Sequence, residues 1–237
     1  MNAPDAVSAP EGRVALLSGG TRGIGAAVAA RLRATGWRLS LGAREPSAMD
    51  EDEATQLVAY DAQDGTEAAW VEAARARFGR IDAVVCCAGV MHPATVIEID
   101  DAILDRMWEV NVKAPRRLVR AAWTDLHDAG GGRVVILSSL SGKRVKSAAS
   151  APYAMTKHAA TALCHGVRQA GWDLGIRATA ICPGYVSTDM ARAITDFPPE
   201  RMTQTDEVAR LVELALDLPA TASVAEMAVS CQLEEMY

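Results

Sequence analysis

Seven short apolar runs alternate along the chain with longer stretches of helical spacing, and this alternation limits the possible folds more than any other feature. The runs fall at 14–17, 38–41, 56–59, 83–86, 133–137, 177–181 and 227–229, and the helical stretches at 24–35, 66–78, 101–128, 153–171 and 206–216. Strand then helix, repeated, builds βαβ units whose strands lie parallel and are covered on both faces by the crossover helices. The expectation is an α/β fold: one doubly wound domain around a parallel, seven-stranded sheet. Residues 1–12 are Ala, Pro and acidic residues without periodicity and read as a flexible N-terminal tail, leaving 13–237 as the folded domain. The Gly130-Gly131-Gly132 turn punctuates a helix end before a strand and is too short to separate domains.

Composition removes several classes of function. Hydrophobic residues make up 50% and charged residues 23% of the chain, which suits a packed globule and excludes wholesale disorder. The formal net charge of −6 argues against a nucleic-acid surface. No apolar run approaches the ~20 residues of a membrane helix, and the opening segment lacks the basic and apolar regions of a leader. A soluble cytoplasmic protein with no membrane or nucleic-acid partner is therefore expected. The five cysteines, Cys86, Cys87, Cys164, Cys182 and Cys231, lie mostly in apolar segments and read as reduced core thiols. Neither they nor the four histidines show metal-ligand spacing, so no metal is expected.

Immediately after the first run stands Ser18-Gly19-Gly20-Thr21-Arg22-Gly23-Ile24-Gly25, followed by an Ala-rich helical stretch. Glycines let a backbone turn tightly and approach a pyrophosphate, which meets the N–H groups and positive end of the new helix. The spacing is G-x-x-x-G-x-G, not the commoner G-x-G-x-x-G, and by itself it also fits a turn that binds nothing.

Further along, Tyr153 and Lys157 sit four apart on one helix face, where an ammonium favours a phenolate and so a general acid or base. Such a pair also occurs on solvated helix faces. Upstream, Ser138-Ser139-Leu140-Ser141-Gly142 closes an apolar run, at the strand end where α/β sheets bind ligands, although isolated serines there also serve turns.

A glycine turn, a strand ending in Ser-Ser and a downstream Tyr-x-x-x-Lys, in that order, resemble the classical short-chain dehydrogenase/reductase family. Asp61-Ala62, Ala88-Gly89, Asn111 and the Pro183-Gly184 segment match its pattern over nearly the whole chain. The resemblance implies a Rossmann-type fold and a catalytic set of Asn111, Ser139, Tyr153 and Lys157, with Ser138 and Ser141 as second choices for the serine. Asn111 is expected to support a water path that returns the proton. It implies cofactor contacts by Gly19, Thr21, Arg22, Gly23, Ile24 and Gly25 in the turn, and by Arg44, Asp61 and Ala62 on the adenosine side. Ala88, Gly89, Tyr153, Lys157, Pro183, Gly184, Val186 and Thr188 complete the implied contacts toward the nicotinamide. The expected activity is reversible hydride transfer between nicotinamide and a ketone, aldehyde or secondary alcohol, with reduction of 3-oxoacyl thioesters and a silent cofactor sensor or scaffold as alternatives. The expected cofactor is NADP(H), because Ala43 stands where NAD-preferring members carry an acid and Arg44 follows it. The small-molecule substrate and a homo-oligomer, dimer or tetramer, follow from the same likeness.

Two departures and a loop matter. The family's Asn-Asn-Ala-Gly is Cys86-Cys87-Ala88-Gly89 here, and three readings of the thiols are open: core filling, a redox pair, or a cofactor contact. The chain lacks the family's Asp-Gly-Gly signature near its C-terminus. Met91, Leu140, Val145, Tyr185, Met190 and Ile194 are expected to wall the substrate pocket, beneath a lid at 191–205. Lys143, Arg144 and Lys146 either attract a substrate anion or decorate a solvated loop.

Overall fold

The computed structural model describes residues 12–46 and 51–233. Its seven strands, β1 (Val14–Ser18), β2 (Arg38–Ala43), β3 (Thr55–Ala59), β4 (Ala83–Cys86), β5 (Arg133–Leu137), β6 (Arg177–Pro183) and β7 (Glu226–Val229), form one sheet in the order β3-β2-β1-β4-β5-β6-β7. Every neighbouring pair is parallel. The chain starts in the middle, winds outward to β3, and then returns past β1 to β4. The point of reversal between β1 and β4 opens a crevice at the strand ends, the usual ligand position in such sheets.

Each strand buries alternate residues against opposite helical layers. Leu16 packs in one core with Trp70 and Val71 of α2 (Glu67–Phe78), Leu118 of α4 (Ala114–Ala121) and Cys164 of α6 (Ala151–Gly171). Its neighbour Leu17 packs in the other, with Val28 and Leu32 of α1 (Gly23–Ala34) and Val208 and Val212 of α8 (Thr205–Asp217). The buried positions of α1, Gly25, Val28, Ala29 and Leu32, have the spacing of a single helical stripe.

The single helical stretch expected at 101–128 is divided. It comprises α3 (Asp101–Trp108), a π-helical turn at Glu109–Lys113, α4 and α5 (Trp123–Asp128). Pro115 sits in the first turn of α4, where its missing N–H is tolerated. The π turn inserts one extra residue and carries Asn111 inward, the kind of local bulge often found at functional positions. The short α7 (Asp189–Arg192) lies within the segment after β6. Of the expected N-terminal tail, residues 1–11 lie outside the described residues, whereas the Gly12 carbonyl accepts two hydrogen bonds from Arg38, at 3.1 and 2.9 Å.

Candidate active site

The turn from β1 into α1 forms one wall of a cavity of about 560 Å3. Gly19 has φ +71°, and a Cβ there would stand 2.8 Å from the Ala88 backbone nitrogen, so only glycine lets β1 and β4 approach this closely. The first turn of α1 holds no acidic residue, and no side chain caps it. Its outward N–H groups and the glycine backbone thus make a cradle that fits a pyrophosphate. Arg22, Arg44, Asp61, Ala62, Ala88 and Gly89 line the same cavity, together with Thr21, Gly23, Ile24 and Gly25. Tyr60, Gln63 and Arg106 also line it. Sequence reasoning missed all three, since they reach the cleft through the packing of β3 and α3 and belong to no motif.

A second cavity of about 250 Å3 adjoins the first, and Ile24, Cys87, Gly89, Met91 and Thr188 border both. Ser139, Tyr153, Lys157, Pro183, Gly184 and Val186 face it. The strand-end turn that carries Ser139 lies tightly on α6: a Cβ on Gly142 would stand 2.7 Å from the Lys157 carbonyl oxygen. This approach brings Ser139 and Tyr153 into hydrogen-bonding contact. The Ser139 hydroxyl also lies 3.3 Å from the Pro183 carbonyl and accepts the Ser141 N–H at 3.0 Å. Ser138 points the other way, bonding Thr161 at 2.6 Å and the Lys157 carbonyl at 3.1 Å, so it braces the helix and Ser139 faces the cavity.

The electrostatics differ from the expected picture. Tyr153 looks into the cavity, and that enclosure raises its phenol pKa above the ordinary value; the Ser139 hydrogen bond acts in the opposite direction. Lys157 does not set the balance. Its Nζ donates to the Leu137 carbonyl at 2.7 Å and stands 5.6 Å from the Tyr153 ring centre. With no carboxylate partner, burial lowers the Lys157 pKa to about 8. The phenol is therefore a protonated acid at neutral pH.

Asn111 is buried and its amide makes three hydrogen bonds. It donates to the Val90 carbonyl at 2.9 Å and to Thr156 Oγ1 at 3.0 Å, and accepts the Val90 N–H at 2.9 Å. Its side chain ties Val90, in the segment after β4, to α6. Two expectations for the loop after β5 are corrected, and the two thiols part company. Val145 is 58% exposed and is not a cavity wall. Lys143 leaves the loop cluster to pair with Glu226, which His165 also approaches at 2.7 Å. Cys86 is core, but Cys87 borders both cavities, with burial pushing its thiol up to about 12. Met91, Leu140, Tyr185, Met190 and Ile194 do face the smaller cavity. In the expected lid, Phe197 stacks on Tyr185 at 6.2 Å.

Comparison with known proteins agrees with this geometry. The sequence model of the short chain dehydrogenases matches residues 13–198. The chain belongs to the short-chain dehydrogenase/reductase family. An agropine synthesis reductase of Rhizobium rhizogenes is 38% identical over 94% of this chain, covering 54% of its own length. An acetoacetyl-CoA reductase of Shinella zoogloeoides is 30% identical over 84% of this chain and 89% of its own. An archaeal alcohol dehydrogenase from Thermococcus sibiricus, solved with 5-hydroxy-NADP, superposes with a TM-score of 0.82 at 26% identity, covering 95% of this chain and all of that one. This short-chain dehydrogenase spans about half the length of the first two curated relatives it matches. Among its described residues no helix is long and apolar enough to cross a membrane, and no group of His, Cys, Asp and Glu is arranged to hold a metal.

Proposed function

We propose that the protein is an NADPH-dependent reductase of a small carbonyl compound, with Tyr153 as general acid. The observation that carries this reading is the meeting of Ser139, Tyr153 and Lys157 in a cavity that shares its wall with the glycine cleft. Arg22, Gly23, Ile24 and Gly25 would hold the cofactor phosphates, Asp61 and Ala62 the adenosine end, and Lys157 and Thr188 the nicotinamide end. When bound, the nicotinamide supplies the hydride that the carbonyl carbon accepts.

Ser139 orients the carbonyl oxygen by hydrogen bonding, and Tyr153 gives that oxygen its proton as negative charge develops there. The phenolate left behind is stabilised by the Ser139 hydrogen bond. Asn111 acts by fixing Val90 and the Tyr153 turn of α6. A phenol pKa held above its ordinary value keeps Tyr153 protonated, the state in which it serves as general acid. Arg22 and Arg44, with Ala43 in place of an acid, support the choice of NADPH.

The similarity to an acetoacetyl-CoA reductase favours a second reading, reduction of 3-oxoacyl thioesters. Turnover of acetoacetyl thioester in preference to free ketones would select it. The main test is Tyr153→Phe, assayed by loss of reduced-cofactor absorbance over ketones, aldehydes and thioesters. The variant should lose ~10²–10⁴ in kcat while binding NADPH within about threefold of wild type. Retention of more than about a tenth of wild-type kcat would rule out the acid role.

A further inference from the structure

We propose that Glu226 is a positioning residue for Ser139: its carboxylate ties Lys143, which closes the serine turn, and His165, on the helix of Tyr153 and Lys157, to the edge strand β7, and so fixes where the Ser139 hydroxyl stands. This inference rests on the reductase reading above and adds a residue to it.

The edge strand needs such a tie. β7 ends the sheet, pairs with β6 along one side only, and none of its four residues is fully buried. Core packing alone therefore does little to hold it. Two parts of the candidate site nevertheless lean on this strand. At its far end the Val229 carbonyl accepts the Gly184 N–H at 2.8 Å, which fixes the Pro183-Gly184 turn, and the Ser139 hydroxyl lies 3.3 Å from the Pro183 carbonyl. At its near end Glu226 meets Lys143, from the turn directly behind Ser139. The serine is thus referred to β7 from both sides.

The two oxygens of Glu226 are divided between elements. Oε2 accepts from the Lys143 ammonium, and Oε1 lies 2.7 Å from His165 Nε2. Lys143 ends the turn Leu140–Gly142, its own N–H donating to the Leu140 carbonyl at 3.0 Å. His165 stands on α6 about two turns beyond Lys157. One carboxylate therefore joins the edge strand, the serine turn and the helix that carries the acid. Burial opposes its charge, but the Lys143 and His165 hydrogen bonds prevail and hold the carboxyl below the usual range, so the tie is ionised at neutral pH. Glu226 lines neither cavity and so acts through Ser139, not on the substrate. Rates fall steeply when a group that orients the substrate shifts by as little as about 1 Å.

The test uses Glu226→Gln, which keeps the shape of the side chain and removes its charge. With the full chain and a ketone or aldehyde that the wild type turns over, kcat/KM should fall about tenfold while the Kd for NADPH stays within about twofold. Lys143→Met should cause a loss of its own, and the double variant should fall no further than the worse single one, because both break one tie. The decisive arm repeats Glu226→Gln in a Ser139→Ala background, where no further loss is expected because the group it positions is gone. A tenfold loss that persists in that background overturns the proposal, and so does an unchanged kcat/KM when Ser139 is present. Amide hydrogen exchange reads the tie without turnover. The N–H groups of Ser141 and Gly142, bonded to the Ser139 hydroxyl at 3.0 Å and the Ser139 carbonyl at 2.8 Å, should exchange about tenfold faster in Glu226→Gln, with the amides of β4 unchanged. Equal acceleration in β4 would mean that Glu226 stabilises the fold as a whole, which overturns the proposal. If the protein reduces no carbonyl yet these two amides are released, the reductase reading fails and the tie stands. Unchanged exchange at both amides removes the tie.

Discussion

At the scale of single residues, the candidate site depends on where two titratable groups are enclosed. Tyr153 is held as a protonated phenol, and Lys157 is a buried ammonium whose hydrogen-bond acceptor, the Leu137 carbonyl, carries no formal charge. A lysine lowered from 10.5 to about 8 is protonated in the unfolded chain and neutral in the folded one between those values. The unfolded state then binds more protons, so stability rises with pH through that window, and the burial penalty is fully present below it. Relative to Lys157→Met, the wild-type protein should gain about 2 kcal/mol of unfolding free energy between about pH 8 and 10. Urea unfolding at several pH values measures this. Parallel curves for the two proteins would show that Lys157 keeps its charge in the fold. The sequence motif made the pair visible but gave it the opposite electrostatic sense, because four-residue spacing places side chains on one face without saying what else surrounds them.

At the scale of elements, an internal ion cluster supports the loop that carries Asp61. Arg117 of α4 bonds Glu67 at 2.8 and 2.9 Å and the Ala62 carbonyl at 2.8 Å, and also pairs with Glu109. Glu67 is buried, and its other partner is the Tyr60 hydroxyl at 3.0 Å. Tyr60 in turn lines the larger cavity. Removing Arg117 strands a buried carboxylate, a change that typically costs 3–5 kcal/mol. Arg117→Met should therefore lose about 3 kcal/mol in urea unfolding and weaken NADPH binding severalfold through the loosened loop. A loss below about 1 kcal/mol would place Glu67 in contact with water. Most elements could be read from periodicity: all seven strands and helices α1, α2, α6 and α8 lie within a few residues of their expected positions. The stretch from 101 to 128 could not, because its apolar spacing continues across the π turn, from which Asn111 reaches Val90. The choice among the three readings of Cys87 stayed open for a related reason. An apolar run predicts burial, but the residue just past its end, Cys87, emerges at the crevice where β1 and β4 part.

At the scale of the whole molecule, charge distribution bears on which nicotinamide cofactor the cleft prefers. The net charge of −6 opposes an anionic cofactor at long range, so recognition of an extra phosphate has to come from local cations. Arg22, Arg44 and Arg106 line the larger cavity, the last of them added by the fold. β2 ends at Ala43, beside Arg44, so no acid stands there to accept the ribose hydroxyls or repel a 2′-phosphate. A guanidinium binds phosphate as a planar fork, and each charged hydrogen bond is worth ~1.5–3 kcal/mol before screening. The cavity also contains Asp61 and Asp189, which lower its positive potential without reversing it. Together these terms predict kcat/KM for NADPH at least ~10-fold above that for NADH. The ratio should shrink as ionic strength rises, since exposed arginines are screened. The double substitution Ala43→Asp, Arg44→Gln restores an acceptor and a repulsion together and should reverse the preference, because discrimination depends on the disfavoured partner as much as on the favoured one. Arg106→Gln should reduce the ratio only partly, as one cation of three. Equal kcat/KM for the two cofactors in the wild-type protein would mean that the arginines of the cleft face solvent, and that the 2′-phosphate is not what this molecule recognises.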